Sequence, residues 1–221
     1  MGFGFLFYGF LMMIELGIAT SSEYALSVDV FPDLAGYLFM LTAAYRLELY
    51  AKGFARLKKM LLPLVAIGAL IYGVSILSLF DVNPVWLERM LHALQYATIV
   101  FQPLAFFCMF GGVMVLASEV DLPAIASRAK LLAGIGTAYY AAQLLFMLAE
   151  DLSLPLFGSY VGFLRYVLMI VWLIFLIMTE WMLFQCYMYI CYEGEERITA
   201  EDAANPFAKF FNKNKKGKGS R

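Results

Sequence analysis

Hydrophobic positions along this chain fall into long blocks separated by short polar segments. The blocks run for roughly 15–30 residues, and a helix needs about 20 residues to cross about 30 Å of hydrocarbon. We therefore predict six transmembrane helices and no strands. They are expected over residues 2–19, 31–45, 60–80, 89–117, 131–149 and 161–190.

The polar segments alternate between two kinds. Acidic turns that contain proline read Asp29-Val-Phe-Pro32, Asp81-Val-Asn-Pro84 and Asp151-Leu-Ser-Leu-Pro155, and basic connectors lie between them. This alternation predicts three helical hairpins. The interval from Lys59 to Pro84 equals the interval from Lys130 to Pro155, which fits either a true internal repeat or turn chemistry that the hairpins share.

Composition supports a membrane protein. The 221 residues are 63% hydrophobic and 15% charged, whereas soluble domains are about 45–50% apolar and about 25% charged. The first block lacks a basic leading region and contains Glu15, so we interpret it as a retained helix, not a signal peptide. We expect an all-α membrane domain over residues 1–190, followed by a cytoplasmic tail over 191–221 with a short helix and a basic disordered end.

Lys and Arg are sorted by location. The connectors after the second and fourth helices and the tail hold five, two and seven of them, and the other three loops hold only Arg89. Positive charge favours the cytoplasmic side. The pattern predicts that both termini are cytoplasmic, that the hairpins point outward, and that the protein lies in a bacterial cytoplasmic membrane.

The connector over residues 46–59 carries two stripes at helical spacing. Leu47, Tyr50, Phe54 and Leu57 form the apolar stripe, and Lys52, Arg56 and Lys59 form the basic one. One interpretation is a segment at the headgroups of anionic lipid, with the C-terminal lysines making similar contacts. An ordinary topology-setting loop explains the pattern as well. The partners expected are the lipid bilayer and a membrane or cytoplasmic protein, with no nucleic acid.

Polar side chains within the predicted helices gather toward the outer half. An ionisable group at membrane depth costs about 2.5–3.5 kcal/mol and usually faces protein or a water-filled cavity. The candidates for solute binding are Glu15, Asp33, Tyr37, His92, Gln95, Gln143 and Arg165. They fit either an outward-facing chamber or a structural Glu15–Arg165 pair accompanied by interfacial polar groups. Glu180, in the inner half, fits a structural role, a pair with a connector lysine, or proton coupling.

Catalytic, cofactor and metal chemistry finds little support. A single histidine excludes a site with several imidazole ligands, and no phosphate-binding loop is present. Ser159 follows Phe157-Gly158 and lacks a nucleophile motif, which disfavours a His92–Ser159 dyad. We predict no cofactor, no metal and no catalytic residue.

The segment Val30-Phe-Pro-Asp-Leu-Ala-Gly-Tyr37, with the basic connector after it, resembles a group of small uncharacterised bacterial membrane proteins. That resemblance covers about the first quarter of the chain and implies an inner-membrane location without an activity. In size and helix number the chain is also similar to the substrate-binding S-components of energy-coupling-factor transporters. Because polar side chains gathered at one depth need a reason to be there, the first functional hypothesis is small-solute binding or transport. The alternative is a non-catalytic scaffold or sensor that contacts lipid or a partner through its basic elements.

Overall fold

The computed structural model describes residues 2–13, 17–20, 26–29, 33–78, 85–152 and 161–190. Within them are six α-helices and one β-hairpin. The helices are α1 (Gly2–Leu11), α2 (Asp33–Leu47), α3 (Lys52–Ser78), α4 (Val85–Glu119), α5 (Pro123–Asp151) and α6 (Val161–Tyr189), and the strands are β1 (Gly17–Thr20) and β2 (Leu26–Asp29). The predicted tail, from residue 191 onward, lies outside the described residues.

The six helices pack in a closed ring. Each helix contacts the next one along the chain, and α6 closes the ring by packing against α1. Phe10 from α1, Phe106 from α4 and Phe175 from α6 are almost completely buried and meet inside the ring. The core is therefore shared by helices that are far apart in the sequence.

Neighbouring helices run in opposite directions. Gly53 near the start of α3 lies against Gly112 near the end of α4, and Arg128 near the start of α5 donates a hydrogen bond to Gln185 near the end of α6. The ring consequently has two distinct ends. We call them the Asp33 end, where α2 begins and α5 finishes, and the Lys52 end, where α3 and α5 begin.

The helical architecture is confirmed, and four helices are long and apolar enough to cross a membrane. These stretches are Lys52–Val74, Arg89–Glu119, Pro123–Ala149 and Gly162–Tyr189. The β-hairpin is an addition that the hydrophobic pattern did not predict. Its strands are antiparallel, with Gly17 opposite Asp29 and Thr20 opposite Leu26, and β-branched residues in both strands favour this conformation.

The predicted first helix is wrong in its second half. It was expected to reach residue 19, but α1 ends at Leu11 and β1 begins at Gly17. An apolar run alone cannot distinguish a helix from a buried strand, and the pairing of β1 with β2 decides the outcome here. At 1.5 Å per residue, α1 and α2 are about 15 and about 22 Å long, shorter than the hydrocarbon layer.

The basic connectors are also more helical than predicted. Lys52, Arg56 and Lys59 lie in the first turns of α3, and Arg128 and Lys130 lie in the first turns of α5. The link between α4 and α5 shrinks to residues 120–122. There Asp121 has a φ of 53° and the Leu122 N–H donates to the Ala117 carbonyl, an arrangement that closes a helix end.

The apolar stripe of the first connector is not on a lipid surface. Leu47, Phe54 and Leu57 are almost completely buried, and Phe54 lies against Gly112 of α4. Three of the four residues of the apolar stripe therefore belong to the protein core, whereas Tyr50 is 38% exposed. The basic stripe of Lys52, Arg56 and Lys59 remains exposed.

Helices α1 and α2 cross at a pair of glycines. A Cβ atom on Gly36 would lie 2.7 Å from the Gly9 carbonyl oxygen, and one on Gly9 would lie 2.8 Å from the Gly36 carbonyl oxygen. Small residues let membrane helices approach this closely. The crossing places the end of α1 beside the start of α2, so that both reach the Asp33 end of the ring.

Candidate functional site

A cavity of about 610 Å³ lies at the Asp33 end of the ring. All of the five longer helices contribute to its lining, and Met13, just beyond α1, adds to it. One representative from each is Asp33 of α2, Ile71 of α3, Gln102 of α4, Tyr139 of α5 and Trp172 of α6. We call this cavity the chamber. Its position on the ring axis follows from the closed packing order of the helices.

Five of the seven predicted solute-binding residues line the chamber. They are Asp33, His92, Gln95, Gln143 and Arg165. Tyr37 does not line it, because its side chain is almost completely buried in the core, where the ring lies 3.4 Å from the Cβ position of Gly68. Glu15, and with it the predicted Glu15–Arg165 pair, lies outside the described residues.

Helix α4 supplies a polar stripe that descends from the chamber rim. His92, Gln95 and Gln102 are separated by three and seven residues, so they share one helical face. Ten residues separate His92 from Gln102, which corresponds to about 15 Å along the helix. His92 and Gln95 are exposed. Gln102 is only 7% exposed and lines the deep part of the chamber.

Three glutamine side chains line the chamber. Within the part of the chain that the structure describes, the amides of Gln95, Gln102 and Gln143 bond to no protein atom. Thr98, also in the lining, differs because its hydroxyl donates to the Leu94 carbonyl at 3.0 Å. A carboxamide group can donate two hydrogen bonds and accept two. The chamber therefore presents unused donors and acceptors at several depths.

A small polar cluster joins α4 to α5 at the rim. The Tyr96 hydroxyl donates to Asp151 Oδ2 at 2.6 Å, and His92 Nε2 lies 3.4 Å from Asp151 Oδ1. The side chains of His92 and Asp151 are 49% and 42% exposed, so solvent screening leaves their attraction weak. The cluster links α4 to α5 at the rim, and the sequence pattern indicates neither Asp151 nor Tyr96 as a member.

The charged groups of the chamber all lie near helix ends. Asp33 is the first residue of α2, Asp151 is the last of α5, and Arg165 is four residues beyond the start of α6. The Arg165 guanidinium carbon is 5.9 Å from the centre of the Phe146 ring, a distance typical of a cation–π contact. Below this level the described lining contains neutral side chains only.

Aromatic rings close the chamber below. Trp172 stacks against Tyr139 at 5.2 Å and against Phe175 at 5.5 Å. Phe175 in turn meets Phe106 at 6.1 Å and Phe110 at 6.1 Å, in a tilted and an edge-on arrangement. Together with Phe10, these phenylalanines form a layer that we call the phenylalanine floor. It packs against the chamber lining through the contacts of Phe106 with Tyr140 and of Phe175 with Trp172.

The remaining polar groups at membrane depth lie away from the chamber. Gln185 accepts a hydrogen bond from Arg128 toward the Lys52 end. Glu180 has both carboxyl oxygens shielded from solvent, with no hydrogen-bond partner in the described ranges. Ser159 lies outside those ranges, so the dyad with His92 has no geometry to assess.

The chamber offers hydrogen-bonding and charged side chains to its interior. No group of three or more His, Cys, Asp or Glu side chains able to hold a metal ion occurs among the described residues. The chamber instead combines neutral amides at depth, charges at the rim and an aromatic floor. Gln102 is the important residue absent from the predicted set, although its spacing from His92 and Gln95 along α4 could have indicated it.

Comparison with protein-family models, with curated protein sequences and with solved structures found no match for this chain.

Proposed function

We propose that this protein binds a small solute in the chamber, as a transporter or as the solute-binding subunit of one. The observation that carries the proposal is the convergence of Asp33, His92, Gln95, Gln143 and Arg165 on one cavity. These residues come from four helices that are well separated in the sequence. Polar side chains at membrane depth usually face a water-filled cavity with a functional role.

The size and chemistry of the chamber support this proposal. Ligand pockets usually measure about 300–1,000 Å³ and combine an apolar wall with a few well-placed polar groups. The chamber volume of about 610 Å³ falls in this range. The amides on α4 and α5 offer hydrogen bonds that the described residues do not use, which favours a ligand site over a purely structural polar cluster.

Transport would require the phenylalanine floor to part. Because Phe10, Phe106 and Phe175 are in contact, these rings would block the path of a solute from the chamber toward the Lys52 end. In alternating access, one part of a helix bundle moves against the other around a fixed central site. We infer that the present conformation is the outward-facing one and that an inward-facing conformation separates α1 and α6 from α4 at this layer.

Solute binding is tested on the full chain in lipid nanodiscs by thermal unfolding against a panel of amino acids, sugars and nucleobases. At about 100 times its Kd, a bound solute should add about 2.7 kcal/mol to the free energy of unfolding. Gln143→Leu should abolish this stabilisation. Leu145→Ala should retain it, because Leu145 is 68% exposed on the same helix. Absence of stabilisation by every solute would refute the proposal.

We also propose six membrane crossings, with both termini in the cytoplasm of a bacterium and the Asp33 end outside. The Lys52 end carries Lys52, Arg56 and Arg128 among its basic residues, whereas Arg165 is one of the few near the Asp33 end. Positive charge marks the cytoplasmic side. The first two crossings would need residues beyond the bounds of α1 and α2, since each helix is shorter than the hydrocarbon layer.

The orientation predicts a labelling pattern in intact cells. Leu152 and Leu49 are 68% and 85% exposed, and they lie at opposite ends of the ring. In a background without the native cysteines, a membrane-impermeant maleimide should label Leu152→Cys and leave Leu49→Cys unlabelled until the cells are opened. The reverse pattern would place the termini outside.

The second candidate function is a non-catalytic scaffold or sensor that contacts anionic lipid. The exposed stripe of Lys52, Arg56 and Lys59 at the Lys52 end favours it. Nanodiscs containing phosphatidylglycerol should then stabilise the protein more than pure phosphatidylcholine, and replacing the three residues with Gln should remove the difference. Lys130→Gln, at the same end but on α5, is the control. Equal stability in both lipids would argue against this role.

A further inference from the structure

The deepest polar group of the chamber is the Gln102 amide. Its residue is 7% exposed, lies in the cavity lining and makes no side-chain hydrogen bond within the described part of the chain. Buried polar groups in folded proteins nearly always have a partner. The Gln102 amide lines the cavity without such a partner among the described residues, so its donor and acceptor are available to a molecule that enters.

The surroundings of Gln102 restrict what that molecule can be. The charged lining groups Asp33, Asp151 and Arg165 all lie near helix ends. Gln102 is 17 residues beyond the start of α4, at the middle of the helix and deeper than the rim cluster. An ion at this depth would lose its hydration without gaining an opposite charge. The floor of the chamber is thus suited to an uncharged part of the solute.

The Trp172 ring in the chamber lining is already engaged by its aromatic neighbours. Trp172 already makes two near-parallel contacts, with Tyr139 at an interplanar angle of 21° and with Phe175 at 26°. Ring edges are the electropositive part of aromatic side chains. Hydrogen bonding at Gln102, supported by apolar contact with Ile99 and Leu168 in the lining, is therefore the main means of recognition at the floor.

We propose that Gln102 recognises an uncharged amide or lactam edge of the solute, in which a carbonyl oxygen lies next to an N–H group. This inference rests on the proposed function. A glutamine side chain presents an acceptor and a donor side by side, and an amide edge presents the complementary pair. Two parallel hydrogen bonds then form at the floor. Gln95 and Gln143 contact the parts of the solute nearer the rim.

Three probes of nearly the same shape test this recognition: benzamide, acetophenone and benzoate. Acetophenone lacks the N–H donors, and benzoate brings a negative charge. Binding is measured by saturation-transfer NMR on the full chain in nanodiscs. Benzamide should bind about tenfold more tightly than either of the others, which is the usual effect of one neutral hydrogen bond.

The variant Gln102→Leu should reduce the affinity for benzamide to that for acetophenone. Gln185→Leu makes the same substitution outside the chamber, where Gln185 accepts a hydrogen bond from Arg128, and it should keep the preference. A preference that survives Gln102→Leu, or equal binding of the three probes to the unmodified protein, would overturn the inference. The comparison of the three probes on the unmodified protein decides the matter even if Gln102→Leu does not fold.

Failure of this inference can be told apart from failure of the proposed function. If the solute panel finds a ligand that depends on Gln143 while benzamide shows no preference, the chamber binds solutes but Gln102 does not recognise an amide edge. If neither the panel nor the three probes bind, both proposals fall.

Discussion

Gly53→Ala is expected to destabilise the protein by about 3 kcal/mol or more, because the added methyl group meets backbone and not a movable side chain. A Cβ atom at Gly53 would lie 2.5 Å from the Gly112 nitrogen and 2.6 Å from its Cα. Neither atom can move unless α3 and α4 separate. Separation would disturb Phe54, which is buried at the same crossing. The gain in helix propensity, about 1 kcal/mol for Gly to Ala, is too small to compensate.

Gly111→Ala provides the matched control for this prediction. Gly111 neighbours Gly112 in α4, yet a Cβ atom there would have no neighbour within 4 Å. The same substitution should therefore leave stability unchanged or raise it by up to about 1 kcal/mol. Both variants are compared with the unmodified protein by thermal unfolding in one detergent. Similar losses at the two positions would show that the crossing tolerates a methyl group.

The long helices could be predicted from the sequence because hydrocarbon imposes a length on any apolar helix that crosses it. That constraint gives four helices of the predicted kind, α3 to α6. The length constraint did not help at the first hydrophobic block of the sequence, where α1 ends at Leu11 and a strand follows. The difference depends on the pairing of β1 with β2, a contact between segments that no local pattern reports.

The faces of the helices were harder to predict than the helices themselves. In a bilayer, both the lipid-facing and the core-facing sides of a helix are apolar. Phe163 and Phe175 illustrate the difficulty, since both belong to α6 but the first is 69% exposed and the second is fully buried. Polar residues give a clearer signal because they avoid lipid. For this reason the residues of the chamber were easier to group than those of the phenylalanine floor.

Depth along the helices explains which chamber residues were predicted. His92, Gln95 and Gln143 were grouped because their distances from the helix ends agree, and all three line the chamber. Gln102 lies deeper, so the same reasoning left it out. The cluster of Tyr96 with Asp151 requires the distance between α4 and α5, which a single sequence does not contain.

Phe175→Ala should be the most damaging change within the floor of the chamber. The Phe175 ring contacts Phe10, Phe106, Phe110 and Trp172, with centroid distances from 5.5 to 6.2 Å. Lipid is as apolar as the protein core, so the hydrophobic effect contributes little to packing between membrane helices. The cost comes instead from the cavity that the missing ring leaves, which we expect to be about 2–4 kcal/mol.

Phe163→Ala separates this cavity effect from the general effect of removing a phenylalanine. Phe163 belongs to the same helix and faces outward, so its loss leaves no internal cavity. Thermal unfolding of both variants should show a large decrease for Phe175→Ala and almost none for Phe163→Ala. Phe175→Leu should lie between them, because leucine refills part of the space. Equal decreases for the two alanine variants would mean that features other than the packing of the Phe175 ring hold the phenylalanine floor together. The inference that this layer seals the chamber would then lose its basis.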